Sequence, residues 1–380
     1  MLKLTGINIE ILEWALDYST QGAEIAAKFP KLNRWLNKED YPTVRQLEKF
    51  AKATRVPFGF FFLDKRPEIK LSIPFFRTMK EELPFSFSPE LIDTVKIVEQ
   101  RKVWLKDFLI QSGADKLHFV GSEKSNEDYI EIAGKIKAEL AIDDLWASKL
   151  PNWEYALNYL IEKTESIGIN VIRNGIVGNN THRKLNYKEF RGFVLVDDYA
   201  PFLFINGNDF KAAQMFTLAH ELAHVWLGSS AAFDLRQMLP AENKVEILCN
   251  KVAAELLVPE KQILDNWNTL KNEDDYFQAI ARHFKVSKIV AARRLLDLNL
   301  ITKKDFFEFY NEYITSIPKG KKENEGGNYY NAQPLRIGKR FANIVITEVK
   351  RGTLLYRDAY KLTGLTATTF DEFEKKFYKA

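Results

Sequence analysis

The stretch "FKAAQMFTLAHELAHVWLG", residues 210–228, contains no proline and is apolar on almost every side. A run of that kind forms a helix that lies in an interior. It carries His220, Glu221 and His224 into that interior with it. Residues four apart share a helix face, so His220 and His224 can offer two imidazole nitrogens to one metal ion. Glu221 stands about 100° round the helix, within reach of a water held by that metal. Two unligated histidines on a buried helix would each need a separate hydrogen-bond partner, whereas one ion satisfies both. Two neutral ligands beside a carboxylate base are the layout of a zinc hydrolase. Asp209 is placed to cap the start of the helix and Gly228 to end it.

A catalytic zinc needs a third protein ligand and an open position. The next helical run, "AENKVEILCNKVAAELLVP", offers Glu242, Glu246 and Glu255. Glu246 is the leading choice. Asn250, four residues on and on the same face, can support a ligand from outside. Glu255 is second, or else a solvated glutamate or an acid held between domains. Cys249 is a chemically possible ligand, though a lone cysteine more commonly serves as a small core residue. One Zn2+ per chain is expected, and the donor set also suits manganese or iron. His118, His182 and His283 stand alone, with His182 near the strands, where it could assist an oxyanion. The segment "APFLFIN" reads as a strand, either at the edge of a cleft, where an extended peptide could pair with it, or in the core.

The rest of the chain sets the frame. With 380 residues, 46% of them hydrophobic, the chain is long enough for two or three compact units and too apolar to be mostly disordered. Its single cysteine excludes an internal disulfide framework and points to a reducing, cytoplasmic setting. No secretory start and no membrane-spanning run are present. The net charge of +4 is too small to imply nucleic acid, but residues 319–380 carry a local net of +6. Residues 7–63 read as short helices, with Thr43 a cap, and "PFGFFFL" is expected to be buried. Prolines 67, 74, 84 and 89 mark an extended linker that wraps a neighbour with Phe75, Phe76, Phe85 and Phe87. Helical patterns follow to about 166. Then come strand-like runs ("INVIRNGIV", "FRGFVLVDD", "APFLFIN"), helices at about 210–227 and 242–258, and a helix pair at 276–296. Residues 316–334 read as a flexible linker, and 335–378 as helical again.

The strand block with "TLAHELAHVWLG" and "EILCNKVAAELLVP" resembles the ImmA/IrrE family of zinc metallopeptidases over about residues 150–300. The resemblance implies a minimal zincin fold, zinc held by His220, His224 and Glu246, and Glu221 as general base. It also implies a protein substrate, a repressor or antitoxin whose cleavage relieves repression in stress responses, prophages or mobile elements. Residues 7–63 resemble an XRE-type helix-turn-helix, through "RWLNKEDYPTVRQLEKFAKATRVP". Trp35 follows Ala26 by only nine positions, and the usual module has about four more residues there, at the start of its recognition helix. This module therefore reads as a degenerate helix-turn-helix suited to protein contacts. A second such candidate, "QAIARHFKVSKIVAARRLLDL", carries Arg282, Lys285, Lys288, Arg293 and Arg294 with no acid between 276 and 296, and Ser287 can cap its second helix. It could touch DNA phosphates or a partner, or simply buttress the peptidase. The tail, with Arg336, Lys339, Arg340, Lys350 and Arg351, looks like an accessory domain of longer relatives.

The expected fold is α+β and predominantly helical. The expected domains are a helix-turn-helix-like bundle (1–65), a proline-rich linker (66–90), a metallopeptidase domain with a small sheet (91–300), a helix and linker (301–334) and a basic helical accessory domain (335–380). A competing reading makes the chain a DNA-binding antitoxin or transcriptional regulator with a structural or vestigial metal site. The intact Glu221 argues against it, since a structural site needs no base.

Overall fold

The computed structural model describes residues 3–19, 21–67, 87–229, 231–233, 244–316 and 329–377. Among them lie seventeen α-helices, one four-stranded sheet and one two-stranded sheet, an α+β and predominantly helical architecture. The chain divides into two compact units, Met1–Ser72 with Met79–Lys96, and Ile73–Thr78 with Ile97–Ala380. No described helix is long and apolar enough to cross a membrane.

The first unit holds α1 (Ile9–Tyr18), α2 (Gly22–Lys28), α3 (Leu32–Leu36) and α4 (Val44–Thr54). Thr43 and Gln46 form a reciprocal capping box that starts α4, as the sequence suggested. Trp35, Phe50 and Phe61 interlock at the centre of the core. The helix α3 has only five residues, in line with the shortened spacing before Trp35. "PFGFFFL" departs from expectation. It forms a short 3-10 turn, Phe58–Phe62, in which Phe61 is buried while Phe58, Phe62 and Leu63 are exposed. One short turn presents a single side to a core, so an all-apolar run of that length cannot bury every residue. Of the proline-rich stretch, residues 68–86, with Phe75, Phe76 and Phe85, lie outside the described residues. Phe87 packs on this core, and Pro89 opens α5 (Pro89–Gln111), where its missing N–H costs nothing.

The second unit is built around the sheet. After the part of α5 from Ile97 on come α6 (Tyr129–Glu139) and α7 (Trp153–Ser166), followed by β1 (Asn170–Asn174), β2 (Ile176–Val177), β3 (Asn180–Lys184), β4 (Gly192–Leu195) and β5 (Phe202–Asn206). Next come α8 (Lys211–Trp226), β6 (Ala231–Phe233) and α9 (Lys244–Leu257). The sheet order is β1-β5-β4-β6, with β1 parallel to β5 and β4 antiparallel to both its neighbours. β5 is therefore central, and all five of its residues are buried. This settles the open choice for "APFLFIN" in favour of a core strand. β2 and β3 form the separate hairpin, which the sequence patterns missed because "NTHRK" is exposed and polar.

The chain continues through α10 (Glu260–Leu270), α11 (Tyr276–Phe284), α12 (Lys288–Asp297) and α13 (Lys303–Ser316). It resumes with α14 (Tyr329–Ile337), α15 (Lys339–Lys350), α16 (Tyr356–Thr363) and α17 (Ala367–Phe377). Residues 317–328 of the expected linker lie outside the described residues. Its last part is helix, with Pro334 inside α14. The basic tail is packed onto β1 within the second unit. Arg340 Nη1 donates to Asn170 Oδ1 (3.0 Å), the Arg340 amide to Glu165 Oε1 (3.0 Å), and Phe341 meets Phe202 edge to face. The guanidinium of Arg101 is buried and donates to the carbonyls of Leu362 (2.9 Å), Arg336, Ile337 and Thr363. It thereby satisfies orphan carbonyls at the C-terminal ends of α14 and α16.

Candidate metal centre

Thirteen of the sixteen residues of α8 are buried, so its chemistry is presented wholly inside the unit. Asp209 is not its cap, as had been expected. The cap is Phe210, and Asp209 sits one residue earlier, accepting from the Phe210 amide (2.8 Å) and from Arg191 (3.2 Å). The other end follows the expected pattern. Gly228 has φ +68°, its amide donates to Val225 O (3.1 Å), and the Ser229 amide donates to His224 O (3.1 Å). These two bonds are a Schellman closure. Residues 119–123 lie across this end: Gly121 N donates to Val225 O and Glu123 N to Trp226 O, both at 3.0 Å, and Phe119 stacks on Trp226 at 4.6 Å. A Cβ at Gly228 would stand 3.0 Å from Gly121 Cα, so the glycine is required by the close approach as well as by φ.

Around this helix the candidate ligands converge. His220 Nε2 and His224 Nε2 are 3.1 Å apart. Glu246, from the first turn of α9, sets Oε2 at 3.2 Å from His220 Nε2 and Oε1 at 3.2 Å from His224 Nε2. Donors about 2.0–2.1 Å from a tetrahedral ion lie roughly 3.3 Å from one another, so these spacings have the size of an ion's ligand set. The outward nitrogens are also accounted for. His220 Nδ1 lies 3.1 Å from Asn250 Oδ1, and His224 Nδ1 lies 2.9 Å from Ser229 Oγ. In the tautomers whose Nδ1 protons point outward, two Nε2 lone pairs and a carboxylate face each other, an arrangement a cation resolves. The site fits a metal on these grounds. Asn250 takes the supporting place expected of it. Ser229 was missed, although its position two residues past the helix end, just after a terminating glycine, is a readable signal.

The electrostatics follow from burial. Burial pushes the Glu246 carboxyl up, but the imidazoles of His220 and His224 outweigh it and hold it at about 2. Burial lowers His220, favouring the neutral ring that a metal needs. Glu221 is raised well above the usual carboxyl range by burial and then by the charge of Glu246. Both its oxygens are buried without a hydrogen-bond partner among the described residues. Gly192 on β4 gives Glu221 its room: a Cβ there would lie 3.4 Å from Glu221 Oε1, 2.8 Å from Phe204 O and 2.5 Å from Thr217 Cγ2. Cys249 Sγ and the two histidine nitrogens lie within 4.8 Å of one another. A cleft of about 450 Å3 adjoins the centre, lined by Glu123, Lys124, Asn126, Leu227, Ser229 and Val245.

Residues 164–296 match the IrrE N-terminal-like domain of the peptidase M78 family. This match supports a metallopeptidase of the ImmA/IrrE type. Within the IrrE-like region fall α8, α9 and both β4 and β5, so the whole donor set described above lies inside it. Residues 337–376 match a domain of unknown function (DUF8813), which covers α15 to α17. No curated protein matches the chain.

The remaining sequence candidates lie elsewhere. Glu242 is outside the described residues. Glu255 is turned from the centre: it pairs with Arg294 and accepts from the Glu260 amide (3.1 Å). It is thus neither solvated nor held between domains: it is buried, and its partners lie in the same unit. Arg294, expected on a partner-contacting face, is buried, pairs with Glu255 and donates to Val258 O (2.9 Å). Lys288 pairs with Asp275 (2.6 Å) and Arg293 with Asp297 (2.9 Å), two acids just outside the 276–296 window. Arg282 is exposed, and Lys285 donates to Arg282 O (2.8 Å). The α11–α12 pair is thus less basic in space than in sequence, and Ser287 caps α12 as foreseen. His182 is exposed on β3, in the other sheet, and His118 pairs with Glu139 (3.2 Å).

Proposed function

We propose that this protein is a zinc-dependent endopeptidase that cleaves one regulatory partner, a repressor or antitoxin, in a stress, phage-defence or mobile-element system. The observation that carries the reading is the convergence of His220 Nε2, His224 Nε2 and the two Glu246 carboxylate oxygens at 3.1–3.2 Å, beside an unpartnered buried Glu221. A zinc ion bound there supplies a Lewis acid. His220, His224 and Glu246 would hold it, and Asn250 and Ser229 fix the ring tautomers. Glu221 takes the proton of the attacking water and returns it to the leaving amine. Burial raises its proton affinity, and a bound cation would oppose that rise.

The first unit, with its shortened α3, would act as a degenerate XRE-like module that selects the partner through protein contacts. The tail helices would brace the sheet. Two experiments test the reading. Elemental analysis of protein purified without chelators should find about one zinc per chain in wild type and in Glu255→Ala, and none in Glu246→Ala. Incubation with small regulators encoded beside the gene should yield one defined cleavage by mass spectrometry, absent in Glu221→Gln. A wild-type chain free of metal defeats the proposal and moves the reading to a DNA-binding regulator.

A further inference from the structure

Each of the two site helices brings two donor-bearing residues to one place. α8 supplies His220 and His224 at a spacing of four, and α9 supplies Glu246 and Cys249 at a spacing of three, so both pairs lie on single helix faces. The Cys249 sulfur stands within 4.8 Å of the histidine nitrogens and is fully buried with them. Glu221, nine-tenths buried and more, aims an unpartnered carboxylate into the same space. His220, Glu221, His224 and Cys249 have no exposed surface, and Glu246 has 6%. A catalytic centre keeps one position open to water or substrate, and a closed four-donor set is the mark of a structural site. Here a further donor-bearing residue, Cys249, stands beside the candidate ligands.

Resting on the metallopeptidase reading, we propose that Cys249 is a fourth protein donor to the same ion, closing the position that a substrate carbonyl would use. Nitrogen and sulfur ligands of a tetrahedral zinc lie about 3.5 Å apart, a contraction of roughly 1 Å that rotation about the Cys249 χ1 can supply. On ligation the thiol loses its proton to solvent and the sulfur binds as thiolate. The His220–His224–Glu246–Cys249 state is a resting form. Release of the thiolate, with its reprotonation, opens the site. The fold thereby holds a peptidase silent until rotation of Cys249 about χ1 frees the sulfur and leaves His220, His224 and Glu246 in place.

Cobalt(II) reports the ligand directly. Full-length protein loaded with one cobalt per chain should show the near-ultraviolet sulfur-to-cobalt charge-transfer band. Cys249→Ala, which keeps a small apolar residue in the buried position, should bind one cobalt through the other three donors and lose the band. One cobalt bound by wild type without the band overturns the proposal and leaves the metallopeptidase reading standing. No cobalt bound by wild type overturns both.

Discussion

His220 and His224 each set Nδ1 within hydrogen-bond distance of a partner that the backbone fixes, Asn250 one turn beyond Glu246 and Ser229 at the Schellman closure. Such outer partners typically account for 10–100-fold in metal affinity. Asn250→Ala and Ser229→Ala should each weaken zinc by about that factor in chelator competition, while Glu221→Gln, which removes the base alone, should keep full occupancy. Glu255→Ala should also keep the metal, yet it leaves Arg294 charged and buried without its carboxylate. A loss of about 3–5 kcal/mol in urea unfolding is expected. The histidine spacing was legible because helix geometry is local, and the fold brings Glu246 to it. The facing of Arg294 was not legible, since which side of an amphipathic helix turns inward depends on a neighbour 39 residues earlier in the chain.

At the scale of elements, β4 can lie on α8 only because Gly192 has no side chain. An added methyl would press on Thr217 Cγ2 and on the Phe204 carbonyl. Gly192→Ala should cost roughly 1–3 kcal/mol by overpacking. It should also lower metal occupancy in proportion to the displacement of Glu221 and its helix, read by elemental analysis beside the melting temperature. Helices with strong caps were read well from sequence: Thr43, Ser287 and Gly228 each act at the place expected. Strands were read less well. "INVIRNGIV" divides between two sheets, and β3 and β6 left no apolar alternation to detect. The layer order of β5 was invisible because a fully buried strand and an edge strand can share one composition.

For the molecule as a whole, the tail helices close the β1 side of the sheet, and Glu165 sits at that junction. Burial raises its carboxyl to about 7, against the pull of the Arg340 amide. The folded chain thus favours the protonated form. Its stabilising effect is complete below the ordinary carboxyl value near 4.5 and is lost as pH climbs through about 7. The loss is up to about 3 kcal/mol. Urea midpoints should therefore fall between about pH 5 and pH 8 in wild type, and Glu165→Gln should flatten that slope. The sequence read this tail as an appended domain because its charge and its preceding linker both set it apart. Its apolar face, with Phe341 against Phe202, belongs to the sheet.

Arg101 sets a timetable for synthesis. It donates to the Leu362 carbonyl, 261 residues further along. At about 5–20 residues per second, that acceptor is made roughly 13–50 s after the guanidinium. Until then the buried cation has no carbonyls to receive it, and β1 has no cover. The site helices, both finished by residue 257, wait in an incomplete frame. The burial of Arg101 and the cover over β1 therefore come late, after α14 to α16 have been made.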